Sequence, residues 1–188
     1  MGCSDEQGRV LLDLARKTIA FRLGRGEAPG SGKEYADLQQ HQATFVTLKK
    51  KGQLRGCIGN LEPVGTLWES VRDNALNAAF HDYRFAPLST EELDEIHIDI
   101  SILSPAVVLD YTDPVDLLAK LFPGRDGVVL RSGAKTATFL PQVWQQLPRA
   151  EDFLSHLCLK AGLDKSAWRH KHPEIRIYQV KCFAEEEA

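Results

Sequence analysis

No two of the four cysteines, at positions 3, 57, 158 and 182, stand close enough to form a CxxC pair. That spacing excludes a zinc-finger framework and a dense disulfide scaffold, and it suits reduced thiols in a cytoplasmic protein. Phosphate-binding fingerprints are missing as well. Neither GxGxxG nor GxxxxGK followed by Ser or Thr occurs, so no cofactor is called for. No apolar run approaches the length of a membrane span. Excess positive charge is absent: 23 Lys and Arg against 26 Asp and Glu leave a net charge of −3, which gives no bulk attraction to nucleic acid or to an anionic membrane. Neither is expected as a partner. His170 and His172 form an H-x-H pair, but Pro173 follows and no third ligand is spaced nearby, so no metal site is expected. The opening MGCSDEQG does not complete a myristoylation pattern, because Glu6 stands where Ser or Thr is required.

What is present, over 188 residues that are 43% hydrophobic and 26% charged, is an ordinary globular composition. Residues 6–23 carry Val10, Leu11, Leu14, Thr18 and Phe21 as a helical stripe, and Gly24 and the glycine-rich run to residue 32 end it. ATFVTL and LRGCI read as two strands joined by a turn near Lys51 and Gly52. A two-residue turn would set Val46 opposite Cys57, and a longer one would shift the pairing by one. Thr66 and Glu69 form a capping box for a helix whose core stripe is Leu67, Val71, Ala75 and Ala78 or Ala79. In IHIDISIL the four isoleucines fall on one face and His97, Asp99 and Ser101 on the other. GVVLR and TATFL make a second hairpin across SGAK, PQVWQQL starts a short helix at Pro141, and EDFLSHLCLKAG is a helix closed by Gly162. The final EIRIYQVKCF reads as one strand. Helices and hairpins without a βαβ rhythm imply an α+β fold on mostly antiparallel sheet with packed helices.

The chemistry concentrates at LRGCIG. Arg55 lies two residues before Cys57, so on a regular strand the two share a face, and a nearby guanidinium favours a thiolate. Gly56 and Gly59 remove side chains beside the sulfur. Two readings compete: a reactive thiol in cleared space, or a small filler on a strand that another element packs against. His81, at the end of the alanine-rich helix, is a tentative acid or base, and the competing reading is an exposed terminal histidine. Arg84 and Arg55 suit a bidentate carboxylate or phosphate ligand, although for Arg84 a salt bridge to Asp82 or Glu92 competes.

The stretches FVTL at 45–48, LRGCIG at 54–59, NAxxAAFxDxRFxPL at 74–88, EELDEIHIDISILSP at 91–105, DGVVL at 126–130, FLPQVW at 139–144 and LCLKAGL at 157–163 together resemble the AMMECR-type domain, the AmmeMemoRadiSam system protein A family. The resemblance covers nearly the whole chain in order. It implies two interleaved lobes in a single domain over residues 6–186, after a flexible start at 1–5. It also implies two partners, a Memo-like protein and a radical-SAM enzyme, and it supplies no reaction. Where the family usually reads D-P-R-F, this chain has Asp82-Tyr83-Arg84-Phe85. Two functions follow as expectations. One is an enzyme with a small-anion site, using Cys57, Arg55, Arg84 and His81 in acyl or thioester transfer. The other is a non-catalytic module that docks through the LRGCIG surface, including Gly56 and Gly59.

Overall fold

Ser4 and Gln7 close a capping box that starts the first helix, α1 (Asp5–Arg22), in the computed structural model, which describes residues 3–186. The helix therefore begins inside the stretch expected to be flexible, while Met1 and Gly2 lie outside the described residues. Its buried arc is centred on Leu11, Ala15 and Ile19 at intervals of four, and Phe21, expected in the stripe, is half exposed. Gly8 lies against Phe183, where an added Cβ would come within 2.1 Å of the ring. Gly24, at φ +77°, ends the helix in a Schellman arrangement: its own N–H donates to Phe21 O and that of Arg25 to Ala20 O.

β1 (Ala43–Lys50) and β2 (Gln53–Gly59) form the expected antiparallel hairpin. Lys51 and Gly52 both have positive φ, as a two-residue type I′ turn requires. A bulge then shifts the register between Leu48 and Lys49, leaving Arg55 as the extra residue. Thr47, not Val46, consequently stands opposite Cys57. α2 (Leu67–Phe80) has the expected capping box at Thr66 and Glu69, and it buries Leu67, Val71, Ala75, Ala78 and Ala79. Asn74 ties this helix to the sheet, donating through Nδ2 to Thr44 O at 3.1 Å and to Thr44 Oγ1 at 3.0 Å. β3 (Ile96–Leu103) buries its isoleucines as expected. The strand that completes this sheet, β8 (Val180–Ala184), comes at the far end of the chain, giving the order β2-β1-β3-β8.

A second compact unit, Ser104–Val180, is inserted in the chain between β3 and the return of the first unit at Lys181. It holds β4 (Val107–Val108), α3 (Pro114–Lys120), β5 (Gly127–Ser132), β6 (Lys135–Phe139), α4 (Ala150–Lys160), α5 (Ala167–His170) and β7 (Glu174–Tyr178). Its sheet runs β4-β7-β5-β6, with antiparallel pairing throughout. Val128, Leu130 and Ile175 face a core in which Trp144 stacks on Phe153, ring centroids 3.7 Å apart. EIRIYQVKCF, read as one strand, is two: Gln179 interrupts it, and β7 and β8 join different sheets. The fold is α+β on antiparallel sheet. No helix among the described residues is long and apolar enough to cross a membrane.

Candidate functional site

β2 is the edge strand of its sheet, so at every second residue it turns a main-chain N–H and C=O away from β1. At Cys57 both of these groups are met by side chains. The Cys57 N–H donates to Asp82 Oδ2 at 2.9 Å, and Arg84 Nη2 donates to Cys57 O at 3.2 Å. Asp82 and Arg84 are themselves paired, Nη2 to Oδ2 at 2.6 Å and Nε to Oδ1 at 2.9 Å. An Asp–Arg pair thus stands where the next strand of the sheet would be. The Asp82 side chain is only 2% exposed, and the Arg84 guanidinium, with two main-chain donors, holds its carboxyl well below the usual carboxylate range.

The Cys57 side chain is half-buried, and its sulfur accepts from Thr47 Oγ1 at 3.3 Å. Across β1, Thr47 is opposite Asp99 on β3, so Cys57, Thr47 and Asp99 form one row on the polar face of the sheet. Lys49, one row along, pairs with Asp99, and His97 Nε2 lies 3.7 Å from Asp99 Oδ1.

Four of the residues singled out by sequence behave differently from the simple expectation. Because Arg55 is the bulge residue, its two-residue spacing from Cys57 no longer makes them neighbours on one face. Its guanidinium runs instead to Glu92, Nε to Oε1 at 3.0 Å and Nη2 to Oε2 at 2.8 Å, and to Ala86 O. Gly56 does not open space for a ligand, since a Cβ there would lie 2.1 Å from Ala78 O of α2. Gly59 is closed in the same way by Phe45 and Thr44 O. His81 caps α2 through its main-chain N–H and is exposed, and its ring makes no hydrogen bond among the described residues. The structure brings Asp82 to Cys57 in its place.

The first unit's motifs therefore meet at one point: LRGCIG supplies the edge strand and D-x-R-F supplies the pair that covers it. The AMMECR1 family model matches residues 12–183. The chain belongs to the AMMECR1 family. It is 38% identical to Protein MK0488 of Methanopyrus kandleri over 190 residues, 97% of this chain and 90% of that one. It is 37% identical to a Methanosarcina acetivorans protein, covering 98% and 94% of the two chains. The crystal structure of an uncharacterised protein, PH0010 of Pyrococcus horikoshii, superposes with a TM-score of 0.83 at 32% identity, covering 97% of this chain and 93% of that one.

In this AMMECR1 chain, Tyr83 stands where the resemblance implies a proline that would rigidify the turn. The turn is held by other means, because Asp82 Oδ1 also accepts the Arg84 main-chain N–H at 3.2 Å, closing an Asx turn. Asp82 and Glu92 are the two carboxylates that the site reading passed over except as competitors for arginine. The signal was there in Asp82's two-residue spacing to Arg84, but nothing local marks Glu92.

Arg55 also gives the site its clearest pH dependence. Its hydrogen bonds, opposed by burial and helped by the Ser89 N–H and Lys50, hold Glu92 down to about 2 from an ordinary 4.5. A depressed folded-state pKa stabilises fully above the ordinary value and is lost as pH falls through the folded one. Arg55→Met is therefore expected to cost about 1–2 kcal/mol near neutrality after solvent screening. That difference should shrink between pH 4.5 and 2. Urea midpoints of both proteins across that range check this, and parallel curves would count against it.

Proposed function

We propose that the LRGCIG strand carries a small-anion site in which Cys57 supplies a reactive thiol and Arg84 orients the anion. In this reading the protein works in the cytoplasm with a Memo-like protein and a radical-SAM enzyme, the partners implied by the family resemblance. One observation carries the proposal: the way Cys57 is held. Its main chain is clamped between Asp82 and Arg84, its sulfur accepts from Thr47, and its side chain is not closed into the core. A cysteine that only fills space needs none of this. Cys158, fully buried among apolar side chains of the second unit, is that case in the same molecule.

Arg84 keeps 42% of its side chain exposed, and its Nη1 has no hydrogen bond among the described residues. It can therefore offer donors to a carboxylate or phosphate while Asp82 fixes its position. The reaction class to test first is acyl transfer. The Cys57 thiolate attacks an activated acyl carbon, the S–C bond forms, and the leaving group departs with its electron pair. Arg55 and the two glycines serve as structure in this scheme, and His81 has no part in it.

A docking module without chemistry is favoured by a different observation. Tyr83, between the two clamp residues, is 94% exposed, and Leu54 and Leu61, three and four residues to either side of Cys57 in sequence, are each 45% exposed. Alkylation mapped by mass spectrometry at each cysteine, from about pH 5 to 9, separates the two readings. Cys57 is expected to react in the folded protein, while Cys158, whose thiol burial pushes up, stays silent. A Cys57 that reacts only after unfolding would sink the thiol site and leave docking, to be probed by Tyr83→Ser.

A further inference from the structure

Arg131, near the end of β5, stands directly across the ladder from Glu174, the first residue of β7. Opposite charges so placed ordinarily pair. Here the Glu174 carboxylate turns along its own strand to Arg176, Oε1 to Nε at 2.7 Å. Arg131 is left with neither an ion pair nor a side-chain hydrogen bond among the described residues, and Lys171 is in the same position. The two cations line one cleft of about 370 Å³, together with Ser132, Gly133, His172 and Pro173.

One wall of this cleft is built firmly. Tyr111 donates its hydroxyl to Pro173 O at 2.6 Å, and its ring packs on the His172 imidazole with centroids 4.2 Å apart. His172 is held at φ +44°, a left-handed conformation that few non-glycine residues adopt and that ligand sites often retain. The cleft lies wholly within the second unit and shares no residue with the Cys57 clamp.

We infer that this cleft binds a phosphate-bearing small molecule. The Arg131 guanidinium takes two phosphoryl oxygens through its parallel N–H groups, and the Lys171 ammonium takes a third as a point charge. Glu174 also lines the cleft, and its pairing with Arg176 offsets part of the repulsion that a free carboxylate would exert on the anion. A phosphoryl group fills only part of the space, and the remainder receives the organic body of the ligand beside His172 and Pro173. His172 of the H-x-H pair thus shapes an anion site.

Inorganic phosphate, titrated at constant ionic strength into the full chain and followed by amide NMR, tests this. Saturable shifts are expected at the amides of residues 131–135 and of Lys171, His172 and Glu174, with chloride producing none. Arg131→Gln and Lys171→Gln, both at exposed positions, are each expected to weaken binding roughly tenfold, the loss of one charge-assisted contact. No saturable shift at these amides would overturn the inference, as would equal shifts with chloride or unchanged affinity in both variants. Shifts confined to residues 54–59 and 82–84 would belong to the Cys57 strand and overturn it equally.

Discussion

Gly56→Ala should be the most damaging single-methyl change in the first unit. The added Cβ would sit 2.1 Å from Ala78 O and 3.1 Å from its carbonyl carbon, both main-chain atoms of α2 that no rotamer change can move. Accommodation requires the helix to lift from β2, and that breaks contact along the alanine face that lets the two approach. Overpacking of this kind costs about 1–3 kcal/mol, and a rigid backbone obstacle puts this case at about 3 kcal/mol or more. Gly52→Ala is the natural control. It has positive φ but nothing within 4 Å of an added Cβ, so it should cost only about 1 kcal/mol, the strain of a left-handed residue. Urea unfolding of both variants separates close approach from conformational strain. Equal losses would mean that the helix yields. A bulky residue at Gly56 is consequently no test of docking, because it acts on folding first.

Asp82→Ala ranks next. It removes the acceptor of the Cys57 N–H and leaves Arg84 without its carboxylate. Breaking a buried pair from one side costs about 3–5 kcal/mol when both partners are buried. Since Arg84 is 42% exposed and water can reach it, about 2–3 kcal/mol is expected here. Asp82→Asn keeps an acceptor and loses the charge, and about half that effect should follow. The sharper readout is local. Hydrogen exchange at the Cys57 amide should accelerate in Asp82→Ala by more than at Ile58, whose position on β2 has no such side-chain acceptor. Unchanged protection at Cys57 would show that the clamp does not hold the strand. The Asp82 carboxyl is depressed in the folded state. Its contribution is therefore complete at neutral pH and lost only in strong acid, and wild type and Asp82→Ala should converge there.

The sequence made legible those parts of the fold that short-range chemistry controls. Thr66 and Glu69, three residues apart, predict their own capping box, and alternate isoleucines from Ile96 to Ile102 predict a strand buried on one face. The misses share a different cause. Whether Arg55 bulges from its strand depends on how β2 fits β1 and α2 together, so the pairing of Cys57 with Thr47 was not readable from turn length alone. The ten apolar-patterned residues of EIRIYQVKCF carry no mark of a change of sheet at Gln179, because period-two alternation describes a strand and not its neighbour. At the candidate site, Cys57 and Arg84 were visible as chemistry. Glu92, 37 positions from Arg55, was visible only as a competitor, since long-range charge pairing leaves no periodic trace.

The insertion of the second unit sets an order of events on the ribosome. Residues 104–180 form a contiguous stretch whose whole sheet is available once Tyr178 has emerged. The earlier-made unit is still incomplete at that moment. β3 lacks its outer neighbour, Gly8 of α1 lacks Phe183, and Arg16 lacks Glu185, whose Oε1 it meets at 2.5 Å. Helix α1 thus waits for Glu185, 169 positions after its partner Arg16, with an unpaired strand edge open meanwhile. In vectorial synthesis, the first unit is begun before the second and finished after it.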